Sequence, residues 1–312
     1  MKRFSTFLAF ALLSASPALA GDPDGCRSVR FSDVGWTDIT STTAISSRIL
    51  KGLGYDPQTT VLSIPVTYAS MKNKDIDVYL GDWQPSMEND RKAYLDDKSI
   101  VVSAANLPDG AKYTLAVPQY TYDKGLKDFS DIAKFKDSLQ GKIYGIEPGN
   151  NGNRLVQGLI DANKDGLKGF EVVESSEQGM LAQVQGSVSR SEDIVFLGWA
   201  PHPMNVNFRI QYLTGGDDTF GPDFGKAVVY TDLRTGWAEQ CPNAAKFIGN
   251  LKFTVGLENQ VMQMITGDGL DGPTAAEKYL KANPGVLDTW LAGVTTFDGQ
   301  PGLPAVKKGL GL

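Results

Sequence analysis

Three tryptophans lie beside glycines at the ends of predicted strands. Trp36 follows Gly35 in the segment VGWTD, Trp83 lies in YLGDW, and Trp199 lies in FLGW. Ligands of open α/β sheets bind beyond the carboxyl ends of the strands, so side chains in this position are expected to face a cleft. A single tryptophan is more often part of the core or of an interface. Three of them in one structural position predict a shared ligand site.

The pairing of Trp36 with Asp38 indicates the class of ligand. A quaternary ammonium ion has no N–H group to donate, so the negative faces of aromatic rings are left to recognise it. Such cation–π contacts contribute about 0.5–1 kcal/mol at exposed sites and about 2 kcal/mol or more when desolvated. The Asp38 carboxylate adds a negative charge or accepts a hydroxyl proton. The pattern predicts a small cation with a polar tail.

Other site chemistries have less support in the sequence. His202 is the single histidine, which disfavours Cys–His and Ser–His–Asp catalysis. No zinc-ligand spacing and no phosphate-binding GxxxxGK motif occurs in the sequence. The segment DANKDG matches the start of a calcium loop, but Val172 occupies the position that needs a bidentate glutamate. No metal, cofactor or catalytic residue is predicted. A secreted carboxylate-dependent hydrolase stays open as an alternative, because sequence alone does not exclude paired carboxylates.

Short apolar strands alternate with helices along most of the chain. The predicted strands cover residues 28–31, 60–64, 76–80, 142–146, 170–173, 193–197, 210–213 and 227–230. The predicted helices cover residues 43–53, 66–73, 152–161 and 179–188, and after the strand at 227–230 the pattern is mostly helical through Trp290. This alternation is typical of an α/β fold with largely parallel sheets. Trp237 and Trp290 lie in helical patterns and are interpreted as packing residues.

Charge and composition narrow the class of protein. The chain has 312 residues, of which 41% are hydrophobic and 21% charged, as in a globular protein of one large or two medium domains. The formal net charge is −6. Without the first twenty residues, which contain Lys2 and Arg3 but no acid, 28 basic residues stand against 36 acidic ones and the net charge is −8. An acidic chain without a basic cluster disfavours a nucleic-acid partner.

Residues 1–20 have the features of a secretory signal peptide. A basic Lys2-Arg3 pair precedes an apolar stretch, and an Ala-Leu-Ala sequence ends at Ala20. The stretch is too short to span a membrane, so the sequence predicts an exported, periplasmic protein. Because that compartment is oxidising, Cys26 and Cys241 are expected to form a disulfide. A loop of this length corresponds to roughly 5 kcal/mol at most in the chain-entropy model.

A disulfide between Cys26 and Cys241 requires the chain to leave its first domain and return to it. Two α/β lobes joined by two crossings, with a ligand cleft between them, meet this requirement. The crossings are expected near residues 112–119 and 214–229. The first lobe is then predicted to contain residues 21–111 and 214–312, and the second lobe residues 112–213.

Five segments carry a resemblance to a known family. They are VGWTD (34–38), YLGDWQPSM (79–87), PDGAKYTLAVPQY (108–120), GIEPGN (145–150) and FLGWAPHPMN (196–205). Together they resemble the periplasmic choline- and glycine-betaine-binding proteins of ABC importers, most closely the choline-specific branch. The resemblance covers essentially the whole chain after the predicted signal peptide. It implies the fold of a type II periplasmic substrate-binding protein.

The resemblance also implies an aromatic box closed by both lobes. Its members in this chain are Trp36 and Trp83 from the first lobe, and Tyr113 and Trp199 from the second. Asp38 and Asn150 are implied as the residues that meet the choline hydroxyl, although an asparagine at a predicted helix start is also explained as an N-cap. His202 lies where betaine binders offer an imidazole, but Pro203 replaces the aromatic residue that usually follows. This departure favours choline over betaine.

The function implied is that of a receptor without enzyme activity. The protein is expected to capture choline in the periplasm as a monomer and to deliver it to an inner-membrane ABC permease, without a cofactor. A receptor for glycine betaine, or for a broader set of quaternary amines including acetylcholine and carnitine, is the alternative within the same class.

Overall fold

A computed structural model describes residues 21–312 of the chain. Its strands are β1 Ser28–Asp33, β2 Asp56–Val61, β3 Val78–Gln84, β4 Ile100–Pro118, β5 Lys142–Tyr144, β6 Glu171–Val173, β7 Phe196–Ala200, β8 Ile210–Tyr212 and β9 Lys226–Arg234. Its α-helices are α1 Thr37–Gly52, α2 Ile64–Lys72, α3 Glu88–Asp96, α4 Gln119–Asp123, α5 Asn151–Asp161, α6 Glu177–Arg190, α7 Met204–Asn207, α8 Asp217–Phe220, α9 Pro222–Gly225, α10 Trp237–Gln240, α11 Pro242–Asn250, α12 Val255–Thr266, α13 Gly272–Ala282, α14 Val286–Trp290 and α15 Gly302–Leu310. The predicted signal peptide lies outside the described residues.

The strands form a mixed sheet with β4 and β9 at its centre. The strand order is β2-β1-β3-β9-β4-β7-β5-β6, and β8 pairs with β4. Parallel pairing joins β1 to β2 and β3, and β5 to β6 and β7. The other pairs, which involve β4 or β9, are antiparallel. The α/β class is confirmed, but the prediction of largely parallel sheets is wrong at the centre, because the two long strands between the halves run in opposite directions.

Strand β4 passes from one half of the sheet to the other. Lys112 is paired with Lys226 of β9 and with Ala200 of β7. Strands β1, β2 and β3 lie on the β9 side, and β5, β6 and β7 on the other, so two α/β lobes flank this central pair. The exact lobe boundaries of the sequence analysis stay a prediction.

Helix α1 begins six residues earlier than its sequence predicts. The run Ser41-Thr42-Thr43 suggested a helix start, but its hydroxyl groups lie inside the helix. Ser41 Oγ donates to the Thr37 carbonyl at 2.7 Å, and Thr42 Oγ1 donates to the Asp38 carbonyl at 3.2 Å. Hydroxyl side chains can bond the carbonyl four residues back as well as a free helix end, so this local pattern did not mark the boundary.

Strands β3 and β7 extend further than predicted. Strand β3 runs to Gln84 rather than ending at Leu80, and β7 runs from Phe196 to Ala200. Trp83 and Trp199 therefore lie within the last residues of strands, not after them. Trp36 alone of the three follows its strand, through Gly35, whose φ of +85° favours glycine.

The disulfide prediction is confirmed. Cys26 and Cys241 are bonded with their Cα atoms 5.5 Å apart, across a sequence separation of 215 residues. The core lies on both faces of the sheet, and its largest fully buried side chains include Trp237, Tyr68, Tyr79, Phe31, Phe129 and Phe196. Between residues 21 and 312, the helices are all too short or too polar to cross a bilayer.

Candidate ligand-binding site

A small cavity lies where the two halves of the sheet meet. The space between its walls is about 270 Å³, a figure that includes space open to solvent. Its walls are built from seven residues that are only 2–7% exposed: Trp36, Asp38, Trp83, Tyr113, Ile146, Asn151 and Trp199. Five of the six residues predicted from the sequence therefore lie together around one cavity. The sixth, Asn150, is not among its lining residues.

The aromatic side chains stand at steep angles to one another. The Trp83 and Tyr113 rings have centroids 6.3 Å apart and an interplanar angle of 64°. The Tyr113 and Trp199 rings are 6.4 Å apart at 77°. Rings arranged in this way form adjoining walls of the cavity rather than a stack.

The register of the strands explains how Trp83, Tyr113 and Trp199 come together. Tyr113 of β4 is directly paired with Trp199 of β7, and Trp83 of β3 is paired with Val229 of β9. Neighbouring side chains on one face of an antiparallel pair lie about 4.5–5.5 Å apart at Cβ. Because β9 lies between β3 and β4, the central strands hold Trp83 and Tyr113 in fixed relation.

Asp38 places a carboxyl group in the wall of the cavity. It lies in the first turn of α1 and is 4% exposed, and its Oδ1 atom has no hydrogen-bond partner within residues 21–312. Burial raises the pKa of Asp38 to about 7, and the nearby Glu177 and Asp33 carboxylates add to this rise in pKa. A buried acceptor left open costs free energy unless a partner fills it. The group is therefore suited to accept a ligand hydroxyl or to face a cation.

The amide of Asn150 is hydrogen-bonded at both its oxygen and its nitrogen within the protein. As the N-cap of α5, its Oδ1 accepts from the Gly152 N–H at 2.7 Å and from the Tyr113 hydroxyl at 2.9 Å. Its Nδ2 donates to Glu147 Oε1 at 2.8 Å. The capping interpretation is thus correct, and Asn150 supports the wall through Tyr113.

Asn151 was missed by the sequence reasoning. It lines the cavity, is 2% exposed, and neither atom of its side-chain amide finds a partner in the described part of the chain. The segment GNNGN contained a usable signal. An asparagine at the N-cap uses its side-chain oxygen to accept a hydrogen bond from the start of the helix. The next asparagine has no such role, so its side-chain amide is available to a ligand.

Two glutamates connect the halves of the molecule around the cavity. Trp36 Nε1 donates to both carboxylate oxygens of Glu147 at 3.0 Å. The Thr37 N–H, the first of α1, donates to Glu177 Oε2 at 2.9 Å, and the Thr37 hydroxyl donates to Glu177 Oε1. A carboxylate at a helix N-terminus is favourable because the terminal N–H groups are unpaired and the dipole is positive there.

His202 lies behind the wall rather than in it. Its Nδ1 accepts from the Met204 N–H at 2.9 Å, so the ring proton resides on Nε2, which donates to Glu177 Oε1 at 3.2 Å. The ring packs edge-on against Trp199 with centroids 5.0 Å apart. Over residues 21–312, no group of three His, Cys, Asp or Glu side chains has the geometry of a metal site.

A family comparison gives this arrangement a context. Residues 27–282 match the OpuAC family model, described as the substrate-binding domain of the ABC-type glycine betaine transport system. The chain belongs to this family. Among curated relatives, the glycine betaine/carnitine transport binding protein GbuC of Listeria monocytogenes is 28% identical over 171 residues, which are 53% of each chain. An uncharacterised protein of Chromohalobacter salexigens is 50% identical over 130 residues, covering 42% of this chain and 83% of that protein.

Solved structures of OpuAC-type proteins match the whole fold. An ABC-transporter choline binding protein in complex with choline is 55% identical, with a TM-score of 0.91 over 93% of this chain and 100% of that one. The corresponding unliganded semi-closed structure is 56% identical with the same coverage and a TM-score of 0.85. The lactococcal OpuAC complexed with glycine betaine is 25% identical, with a TM-score of 0.76 over 84% and 98% of the chains. The protein is a bilobal substrate-binding receptor of an ABC importer.

Proposed function

We propose that the cavity captures choline for delivery to an ABC permease. The observation that supports this most strongly is the convergence of four aromatic side chains and one unpartnered carboxylate oxygen on the same small cavity. A trimethylammonium group offers a surface of polarised methyl groups with no hydrogen to donate. The faces of aromatic rings can bind this group without leaving any hydrogen-bond donor of the ligand unpaired.

The polar end of the cavity suits a hydroxyl tail. Choline's hydroxyl can donate to Asp38 Oδ1, and Asn151 can donate from Nδ2 to the hydroxyl oxygen. Both side chains are buried and have polar atoms without hydrogen-bond partners in the described structure. Filling them on binding would recover the cost of leaving buried polar groups unsatisfied. Asn150 keeps a supporting place through its bonds to Tyr113 and Glu147.

A betaine-specific receptor is the second candidate, supported by the lactococcal relative. The lining residues argue against it, since they include the Asp38 carboxylate and no lysine or arginine. A betaine carboxylate beside ionised Asp38 would place like charges in a desolvated site, which costs several kcal/mol. Betaine would therefore have to bind with Asp38 protonated, whereas a cation favours the ionised form. His202 offers no free proton to offset this, because its Nε2 hydrogen is bonded to Glu177.

Isothermal titration calorimetry with choline, acetylcholine, carnitine and glycine betaine tests the proposal. We expect stoichiometric binding of choline, tightest among the four. Proton NMR of choline incubated with the protein should show an unaltered ligand, as a receptor without enzyme activity requires. Failure of all four ligands to bind would refute the proposed function, and hydrolysis of the acetylcholine ester in the same NMR assay would replace it with the hydrolase alternative.

The remaining properties follow from the same proposal. We propose that the protein acts in the periplasm as a monomer, after removal of residues 1–20. Amino-terminal sequencing of the secreted protein should begin at Gly21, and light scattering should give the mass of one chain. An uncleaved amino terminus or a dimer would contradict these expectations.

A further inference from the structure

Trp36, one of the tryptophans in the cavity wall, donates its indole N–H to both carboxylate oxygens of Glu147. Glu147 lies in the GIEPGN segment after β5, outside the cavity wall, and both of its oxygens are 3.0 Å from Trp36 Nε1. Trp36 belongs to the other half of the molecule, 111 residues away. Glu147 is itself oriented by the Asn150 amide at 2.8 Å. The contact is a built arrangement rather than a chance approach of an exposed side chain.

Trp83 provides a contrast within the same cavity. Its Nε1 is also buried but finds no hydrogen-bond partner in the described residues. Two indoles that line one cavity therefore differ in the state of their N–H groups. A structural need to satisfy every buried indole does not explain the difference, because Trp83 is left unsatisfied.

An indole that donates to an anion carries more negative charge on its ring. Hydrogen bonds to charged acceptors are roughly twice as strong as neutral ones, and hydrogen bonds polarise the groups they join. The attraction between a cation and an aromatic ring depends on the negative potential of the ring face. A carboxylate on the Trp36 N–H should thus strengthen that face toward a cation.

We propose that Glu147 determines the strength of the cation–π contact in this cavity by polarising Trp36. This inference rests on the proposed function. Glu147 is a positioning residue, since it contacts Trp36 and is not among the residues that line the cavity. Burial raises the pKa of Glu147 above its usual value, with a contribution from Glu177, and the hydrogen bonds from Asn150 and Trp36 oppose this rise. These bonds favour the ionised form that the effect requires.

A double-mutant cycle with Glu147→Gln and Trp36→Phe tests the inference. Glutamine keeps an acceptor for Trp36 and Asn150 but removes the charge, and phenylalanine keeps an aromatic face but removes the N–H. We expect Glu147→Gln to weaken choline binding at least fivefold in the wild-type background and less than twofold in the Trp36→Phe background. Glu171→Gln, which removes an exposed charge on β6, is the matched control and should change affinity less than twofold.

An uncharged ligand separates polarisation from a general role in closing the site. The carbon isostere of choline, 3,3-dimethylbutan-1-ol, should lose less than twofold in affinity in Glu147→Gln, measured by ligand-observed NMR. If binding of this alcohol is undetectable in every variant, the double-mutant cycle alone tests the inference. Equal losses for both ligands, or an equal Glu147→Gln effect in both Trp36 backgrounds, would overturn the inference.

The two proposals fail in distinguishable ways. Wild-type protein that binds no quaternary ammonium ligand overturns both. Wild-type protein that binds choline, together with additive effects of the two substitutions, overturns only the role of Glu147. Thermal unfolding of each variant identifies a loss of fold, and in that case Glu147→Asp, which keeps the charge, should bind choline more tightly than Glu147→Gln.

Discussion

Choline affinity should depend on pH through Asp38. Burial raises the pKa of this carboxyl to about 7, with contributions from Glu177 and Asp33. Glu258 and Tyr79 also interact electrostatically with Asp38, and the pKa of each is well above its usual value. Asp38 is thus partly protonated in the unliganded protein near neutral pH. A cation in the cavity favours the ionised form and lowers its pKa.

The magnitude follows from linkage. Ligand that requires ionised Asp38 must displace its proton, so the apparent dissociation constant is multiplied by about 11 at pH 6 and about 1.1 at pH 8 for a pKa near 7. Affinity should therefore rise about tenfold from pH 6 to pH 8 and level off above. Near pH 7 about half a proton should be released per choline bound.

Calorimetry in buffers of different ionisation enthalpy measures both quantities. Asp38→Asn is the control, and it should bind choline more weakly with a flat profile between pH 6 and pH 8. Without ligand, a raised carboxyl pKa means that the ionised form opposes folding, so this cost is absent below the unfolded-state pKa and complete above the folded-state pKa. As the pH rises from the unfolded-state pKa to the folded-state pKa, the melting temperature of Asp38→Asn should therefore rise relative to that of the wild type. A flat wild-type profile, or the same slope in Asp38→Asn, would refute the reasoning.

Further predictions concern the box, the tail, the second asparagine and the disulfide. Alanine at any of the three cavity tryptophans should weaken choline binding by about 1–3 kcal/mol in calorimetry, whereas Trp290→Ala should mainly lower the melting temperature; unchanged binding in all three cavity variants would refute the aromatic box. Choline should bind at least tenfold, about 1.4 kcal/mol, more tightly than betaine at neutral pH, with an affinity in the micromolar range, and Asp38→Asn should narrow this gap; equal wild-type affinities would refute the role of Asp38. Asn151→Ala should weaken the binding of choline more than that of tetramethylammonium, which lacks the hydroxyl, while Asn150→Ala should weaken the binding of both ligands alike. The reverse pattern would indicate that Asn150 makes the hydroxyl contact. Reduction of the disulfide should lower stability by about 2–5 kcal/mol in denaturant titration, and no change would show that it adds nothing to folding.

Much of the site could be predicted because its signals are local. Trp36 and Asp38 are two residues apart after a glycine turn, and Trp83 and Trp199 each follow a glycine near the end of an apolar strand. Such spacing reflects the alternation of side chains along strands and the geometry of turns. The pairing of Cys26 with Cys241 needed only the count of cysteines and the predicted export.

Tertiary structure decided what local spacing cannot encode. Glu147 reaches Trp36 across 111 residues, and Glu177 reaches the first N–H of α1 across 140 residues. The Glu177 carboxylate caps α1 from a distant segment, and no local side chain caps the helix start, so the sequence around Trp36 did not mark where the helix begins. Likewise, the sequence does not show that the Asn150 side-chain oxygen accepts from Tyr113 across 37 residues. Hydrogen bonds of this kind join residues that are distant in the sequence, so their partners leave no periodic trace in it.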